Sequence, residues 1–452
     1  MSTRQETRVL RLASALGDAR DGKLRAGNIS VCRLADQIST PCYVYSGDAV
    51  VDQVRRVRAA LGPETDLYYS LKANPSLGLC QLIARQDAGA EVASIGELVL
   101  AQRSGFAPQQ TVFAGPGKTD QELEQAVRSG ILSVNAESPG ELRRLACIAR
   151  RAGLPARAAL RVNPARPVAG SQMRMGGGPQ QFGIDEEDLL DVVQQFKDRP
   201  YLDLVGLHVY AGTQVFDVQG VLEHCQHVLE LGRQMSGCLG KPLEVLDFGG
   251  GFGVPYFEDS PEFDLLAFAR GYRRLVGLAK AEPGLAAARL IIELGRYLVA
   301  EAGVYVTRVV DVKRSREQTF VVTDGGMNHH IMATGNFGQV FRKPYPIALL
   351  GSLGAPADQN VSIVGPCCTP LDTFARDTPF PRVRVGDLIG VFCSGAYGYS
   401  ASSLAFLSHP TPAEVLVWQD RAYVLRAPGR GDQALEGQLS LDPEYLPASP
   451  RD

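Results

Sequence analysis

Asp66-Leu67-Tyr68-Tyr69-Ser70-Leu71-Lys72-Ala73-Asn74-Pro75 is the stretch that decides the fold. An apolar, aromatic run of strand length ends in a lysine and is followed at once by a turn. The same unit recurs downstream. Short apolar strands are read at Leu67–Leu71, Glu91–Ala93, Thr111–Ala114, Leu132–Val134, Ala158–Val162, Leu204–Val209, Leu243–Phe248 and Leu290–Glu293. They alternate with helical stretches such as Ser94–Gly105, Thr119–Ser129, Pro139–Ala152, Asp185–Lys197 and Val218–Leu231. Eight strands alternating with helices over roughly 250 residues predict an α/β fold, a (β/α)₈ TIM barrel over 46–303.

The rhythm differs on either side. Asp48 to Leu61 reads as a helix with Val51, Val54, Val57 and Leu61 on one face, and Cys42-Tyr43-Val44-Tyr45 is a short β-type run before it. Residues 1–40 are charged and weakly patterned, and are expected to fray. Beyond residue 303, Val304–Val312, Gln318–Thr323, Asn360–Val364, Leu388–Val391, Glu414–Trp418 and Arg421–Arg426 read as strands joined by turns. That predicts a mostly antiparallel β domain, barrel or sandwich, over 304–452. Its last ~20 residues, rich in Pro, Asp and Ser, read as a loose tail.

Bulk properties exclude several function classes. At 452 residues the chain exceeds one ordinary domain. Hydrophobic residues are 45% and charged residues 21%, as in soluble globular proteins. The net charge is −3 and no Lys/Arg block stands out, which argues against nucleic acid or an anionic membrane as partner. No run of ~18 uncharged apolar residues exists, so no membrane-spanning helix is expected. Met1 to Asp21 mixes charges of both signs and lacks the apolar core of a secretory signal. The nine cysteines are scattered, with no CxxC and no Cys/His metal spacing. Reduced thiols in a cytoplasmic protein without a metal site are expected.

In a barrel of this kind the chemistry sits at the C-terminal ends of the strands. Lys72, His208, the glycines after Asp247 and Glu293 all fall there. Desolvation at the end of an apolar strand lowers a lysine pKa and yields an amine able to form a Schiff base. Taken alone, Lys72 reads as a surface lysine capping a strand, and it is the motifs downstream that reverse this. Asp247-Phe248-Gly249-Gly250-Gly251-Phe252-Gly253 lets backbone N–H groups approach an oxyanion closely. It matches neither dinucleotide nor NTP motifs. Glu293, in Ile291-Ile292-Glu293-Leu294-Gly295-Arg296, is either a buried partner of Arg296 or a carboxylate facing a heteroaromatic nitrogen. His208, in His208-Val209-Tyr210-Ala211-Gly212-Thr213-Gln214, is structural or functional. Gly365-Pro366-Cys367-Cys368-Thr369-Pro370-Leu371-Asp372 and Gly395-Ala396-Tyr397-Gly398 lie on turns of the β domain.

Together, and in this order, these motifs resemble the fold-type III pyridoxal-phosphate (PLP) decarboxylases, the group of diaminopimelate, ornithine and arginine decarboxylases. The resemblance runs from about residue 40 to about residue 410. It implies that residues 1–45 join 304–452 in the β domain, through the Cys42–Tyr45 strand, and that a homodimer completes its active sites across the interface. It also implies roles for individual residues. Lys72 matches the lysine that binds PLP covalently, and Glu91 a segment close to the cofactor. His208 matches the histidine that stacks on the PLP ring, with Thr213 as an adjoining phosphate contact. Gly249, Gly250 and Gly251 resemble the phosphate loop. Glu293, Gly295 and Arg296 match E-P-G-R with Leu294 in place of proline, so Glu293 would pair with the ring nitrogen and Arg296 would lie near the phosphate. Cys368 matches the cysteine supplied by the partner subunit, the acid that returns a proton to Cα. Tyr397 matches a tyrosine near the phosphate.

Two departures bear on the substrate. The position after the cysteine is usually acidic in this family and contacts a distal amine; here it is Thr369, with Asp372 remaining nearby. Asp324–Gly338, with the paired His329 and His330, is similar to a subgroup from secondary-metabolite and exopolysaccharide clusters. That subgroup includes a butirosin-pathway enzyme that decarboxylates glutamate tethered to an acyl-carrier protein. The two histidines read equally as structural or interface residues. Arg342 and Tyr345 are candidate contacts to a substrate carboxylate or phosphopantetheine. The expected function is decarboxylation of a non-basic or carrier-tethered amino acid. The alternatives are a meso-diaminopimelate or other basic amino-acid decarboxylase, a racemase of the same fold type, and a dimerising regulator that has lost its cofactor.

Overall fold

The computed structural model describes residues 3–165, 173–174, 178–210, 212–257, 259–336 and 343–441. Strand β1 (Cys42–Ser46) lies in a second sheet. After it, eight parallel strands close a barrel in chain order: β2 (Thr65–Ser70), β3 (Gly89–Val92), β4 (Thr111–Phe113), β5 (Ser133–Ala136), β6 (Ala156–Asn163), β7 (Leu202–His208), β8 (Val245–Gly250) and β9 (Arg289–Leu294). Closure is made where Glu293 of β9 lies opposite Tyr68 of β2.

The barrel closes because its strands are apolar on both faces, as parallel strands covered by helices must be. One set of side chains fills the lumen: Tyr68, Val112, Leu132, Val205, Val245 and Ile291 form a core cluster of their own. The other set packs outward against the helices, which carry apolar stripes and defined ends. Helix Asp120–Ser129, for example, starts with a Thr119–Glu122 capping box and stops at left-handed Gly130. Helices Leu77–Ala84 and Leu265–Ala281, which the sequence rhythm did not single out, complete the ring of connections.

The second sheet contains β1 and the strands that follow the barrel: β10 (Gly303–Ser315), β11 (Gln318–Thr323), β12 (Ile347–Leu349), β13 (Gln359–Val364), β14 (Thr373–Phe380), β15 (Leu388–Phe392), β16 (Ala413–Trp418) and β17 (Arg421–Arg426). Most pairings are antiparallel, but β11 with β13 and β1 with β16 are parallel. Strand β1 sits between β10 and β16, so the chain inserts the whole barrel between two strands of this sheet.

The N-terminal segment differs from its reading. It does not fray: Thr3–Leu16 and Val31–Ile38 are helices. Val9, Leu12, Ala13 and Leu16 are buried at a helical spacing that the flanking charges obscure. The far tail, from residue 442, lies outside the described residues. Among the described residues no helix is long and apolar enough to cross a membrane.

Candidate active site

Lys72 stands on a short turn, Leu71–Ala73, directly after β2. Three hydrogen bonds fix that turn. The Tyr69 hydroxyl donates to the Asn74 carbonyl at 3.0 Å, the Asn74 amide donates to the Gly395 carbonyl at 2.9 Å, and the Tyr397 N–H donates to the Ala73 carbonyl at 2.7 Å. The turn bearing Lys72 is therefore tied to Gly395–Gly398 of the second sheet. Tyr397 takes a left-handed φ of 52°, a conformation that persists only where its surroundings impose it.

Glu91 comes from the neighbouring strand, at the register position opposite Ser70. The Lys72 amine donates to Glu91 Oε1 at 3.0 Å. The lysine side chain is 44% accessible and the glutamate 2%. Protein groups nevertheless surround the amine, so it stands in a well at the barrel mouth and not on the outer surface. The Tyr210 ring is 5.8 Å from it. Desolvation is the largest single influence on this amine and lowers it, but the Glu91 carboxylate, Tyr397, Tyr210 and Glu293 together outweigh it. Its pKa therefore lies above the ordinary lysine value, the reverse of the sequence expectation. The expectation considered burial and missed the carboxylate one strand away.

Adjacent strands bring together His208, Asp247 and Glu293. Register places His208 opposite Asp247, Asp247 opposite Ile291, and Gly250 opposite Glu293. All three side chains are at most 4% exposed, and their ligand atoms lie within 4.8 Å of one another. His208 Nε2 is 3.4 Å from Glu293 Oε2. Asp247 Oδ1 accepts from the Gly249 N–H at 2.8 Å. As carboxylates, Asp247 Oδ2 and Glu293 Oε1 would both be buried acceptors without a donor. One proton on Asp247 serves both, and the electrostatics place it there. Burial, reinforced by Glu293, raises Asp247 well above the carboxylate range. Burial also works against ionised Glu293, but His208 and the Asp247 hydrogen bond outweigh it and lower its pKa. The result is an anion at the C-terminal end of β9, backed by a neutral acid.

The glycine turn takes in the end of β8 and Gly251. Gly249 and Gly251 have φ of 64° and 86°. A Cβ at Gly250 would lie 1.7 Å from the Glu293 carbonyl oxygen, and one at Gly251 2.1 Å from the Gly212 carbonyl oxygen. Only glycine lets this backbone cross those strands so closely. The Thr213 side chain hydrogen-bonds Tyr210 beside the turn. Gly295 is equally confined, its would-be Cβ 2.8 Å from Ala73. Arg296 opens the following helix, its guanidinium 4.6 Å from the Tyr397 ring and 5.5 Å from the Tyr256 ring. Its Nε is buried without a hydrogen-bond partner, and no carboxylate pairs with it among the described residues. A cation stacked on phenols without a counter-anion, beside a glycine turn, suits a phosphate. Lys72, Glu293 and His208 add a linking amine, an anion for a protonated ring nitrogen and a flat imidazole. The donor set thus fits a phosphorylated, nitrogen-containing aromatic aldehyde.

The remaining candidates lie elsewhere. Cys368 is exposed and Thr369 half-buried, on the turn after β13. Among the described residues no hydrogen bond or ion pair joins them to the turn of Lys72. Asp372, taken as a substrate contact, is 2% exposed, and its carboxylate accepts from the Met327 N–H at 2.6 Å and the Cys367 N–H at 2.8 Å. Both oxygens are committed to shaping the turn. Tyr345 belongs with Tyr256, its ring 4.8 Å away, and so with the Arg296 cluster. Arg342 lies outside the described residues. His329 and His330 are buried and lowered to about 4 and about 3 by burial, hence neutral. His330 meets the Ser394 hydroxyl at 2.9 Å and packs on Tyr43 and Tyr305. Tyr210 is the site residue the sequence reading passed over; its one signal was its position two residues past the strand-end histidine.

The comparisons agree with this geometry. Residues 47–300 match the family described as "Pyridoxal-dependent decarboxylase, pyridoxal binding domain". The chain is 38% identical over 419 residues to the L-glutamyl-[BtrI acyl-carrier protein] decarboxylase of Niallia circulans, covering 92% of this chain and 97% of that one. It is 32% identical to a diaminopimelate decarboxylase of Zymomonas mobilis over 90% of this chain and 94% of that one. The crystal structure of diaminopimelate decarboxylase from Helicobacter pylori complexed with L-lysine superposes with a TM-score of 0.81 at 30% identity, covering 89% of this chain and 98% of that one.

Proposed function

The chain belongs to the pyridoxal-dependent decarboxylases, lyases whose cofactor is pyridoxal 5′-phosphate, and from that premise we propose that it decarboxylates a glutamyl group tethered to an acyl-carrier protein. The observation that carries the substrate is the turn Gly365–Asp372. Asp372 is its one acid, and both carboxylate oxygens are held by backbone N–H groups. No carboxylate is left there for a distal ammonium such as that of diaminopimelate, lysine or ornithine. Thr369 offers a hydroxyl, which suits an uncharged thioester. The 38% identity to a glutamyl-carrier-protein decarboxylase supports the same reading.

On this reading Lys72 holds the cofactor covalently. Gly249–Gly251, Arg296, Thr213 and Tyr397 would receive its phosphate, and His208 would pack on its ring. The bound cofactor supplies an electron sink for the pair left at Cα when the carboxylate departs as CO₂. Glu293 keeps a proton on the ring nitrogen, because an ionised carboxylate stabilises the cationic form. Asp247 holds Glu293 in place through the proton between them. Whenever the Lys72 amine is free of the cofactor, Glu91 favours its charged form, so Lys72 can carry a proton at the mouth of the barrel. Cys368, reaching over from a second copy of the chain, returns a proton to Cα. That role needs a homodimer with shared sites, which the exposed position of Cys368 favours. Nine free cysteines suit the reducing cytoplasm.

The test is mass spectrometry of glutamyl-carrier protein incubated with the enzyme and PLP. The expected result is a mass loss of one CO₂. Robust turnover of free diaminopimelate, lysine, ornithine or arginine would instead establish the basic amino-acid reading, which the 32% relative favours.

A further inference from the structure

A groove of about 520 Å³ opens on the face of the second sheet beside the Cys367–Thr369 turn. Its floor is a row across neighbouring strands. Lys313 lies opposite Phe320, and Phe320 opposite Ser362. The Gln318 amide donates to the Ser362 hydroxyl at 2.9 Å, and that hydroxyl accepts from the Asp377 N–H at 3.0 Å, which draws β14 against the row. Arg376, on β14, and Lys313 both line the groove and both are exposed. Neither has a carboxylate partner among the described residues. Asp372 is the one acid in the lining, and its oxygens are bound to the backbone.

Two unpaired cations facing one groove, with hydroxyl and amide groups between them, form a site for an oxyanion. Nothing in the decarboxylation at Lys72 uses them. Thr369 connects the two regions: it lines this groove and sits next to Cys368, on the turn assigned to the distal end of the substrate. A glutamyl group held by its α-amine and α-carboxylate has its thioester at that distal end. From there the phosphopantetheine arm must run outward past Thr369, and its phosphodiester is the one charged group along it.

We propose that this groove binds the phosphodiester of the carrier protein's phosphopantetheine arm, through Lys313 and Arg376. The proposal rests on the carrier-tethered reading above. The cations lie away from the barrel, so they act on capture of the substrate and not on the chemical step.

The experiment compares two soluble substrates, the glutamyl thioesters of 4′-phosphopantetheine and of pantetheine, which differ only in the phosphate. Wild-type enzyme should show a KM at least about tenfold lower for the phosphorylated one, the scale of a charge-assisted pair, and the advantage should shrink as salt is raised. Lys313→Glu with Arg376→Glu should abolish that advantage, leave turnover of the pantetheine thioester within about twofold, and raise KM for glutamyl-carrier protein at least about tenfold. Equal KM values for the two thioesters in wild-type enzyme would overturn the groove assignment while leaving the decarboxylase reading intact. So would a double variant that retains the preference. Dissociation of the double variant in sedimentation, with loss of turnover on both thioesters, would make the groove an interface between copies and also overturn it. Wild-type enzyme that turns over glutamyl-carrier protein but neither thioester would place recognition on the carrier protein itself and overturn the groove assignment, and one that turns over none of the three defeats the tethered-substrate reading and this proposal with it.

Discussion

At Lys72 two opposing forces act on one proton. Burial disfavours the ammonium, and the Glu91 carboxylate 3.0 Å away, joined by Tyr397, Tyr210 and Glu293, favours it more strongly in sum. Lys72→Ala removes the amine that would hold the cofactor. The variant should bind no PLP covalently and show none of the visible absorption that wild-type protein acquires with it; a variant that still turns yellow would dismiss Lys72 from this role. Asp247 offers a finer test. Asp247→Asn keeps an acceptor for the Gly249 N–H and a donor for Glu293, so turnover should stay within about tenfold of wild type. Asp247→Ala leaves Glu293 Oε1 buried without a donor, at a cost of about 1–3 kcal/mol, and should lower the melting temperature as well as turnover. Infrared difference spectra of the wild type should show a protonated carboxyl band at neutral pH that the Asn variant lacks. If that band is missing, or the Ala variant melts with the wild type, the shared proton is wrong. Lys72 itself was plain in the sequence. Its proton state was not, because Glu91 is 19 residues away along the chain. Asp372 misled for a related reason: backbone N–H groups leave no signature in a list of residues.

Elements place these residues more rigidly than their sequence separations suggest. The glycine turn at the end of β8 is fixed by passing chains on both sides. Gly251→Ala must relieve a contact of 2.1 Å with the Gly212 carbonyl oxygen at a φ of 86°. A loss of about 1–3 kcal/mol or more follows, with weakened phosphate binding. Gly237 is the contrast, in helix Val218–Leu239, where an added Cβ meets nothing within 4 Å. Gly237→Ala should stabilise the protein by about 0.5–1 kcal/mol. Thermal melts of the two variants should move in opposite directions, and a harmless Gly251→Ala would mean the turn is not held as tightly as it looks. The barrel strands were legible because each is an apolar run. The N-terminal helix was not, since charges of both signs break up the spacing of Val9, Leu12, Ala13 and Leu16 that burial reveals.

Over the whole molecule, buried titratable groups set the response to acid. Burial lowers His224 and His329 to about 4 and His330 to about 3. Between those values and about 6.5 the unfolded chain binds protons that the folded one refuses, so stability falls as pH falls through that window. Glu97, raised to about 7 by burial, and Asp247 act in the opposite direction, because the folded state holds their protons. Three histidines outweigh two carboxyls. The two sets cancel near pH 6.5, and the net loss grows to about one proton's worth, ~1.4 kcal/mol per pH unit, as the unfolded imidazoles become fully charged near pH 5. Denaturation midpoints measured between about pH 6 and 5 check this; stability that is flat or rising on acidification across that range would contradict it.

The sequence by itself determined the barrel, the sheet after it and the cofactor chemistry. Strand periodicity is local, and Lys72, the glycine turn, Glu293 and Arg296 are each legible where they stand. Only the tertiary structure decided what those residues are to one another. Closing the barrel sets Glu293 opposite Tyr68 and so brings an anion from near residue 300 beside a lysine near residue 70. Pairing of β1 with β10 and β16 ties the last third of the chain to the first. Proton positions, the loss of Asp372 to the backbone and the unpaired cations of the groove depend on distances across strands, which chain order does not encode.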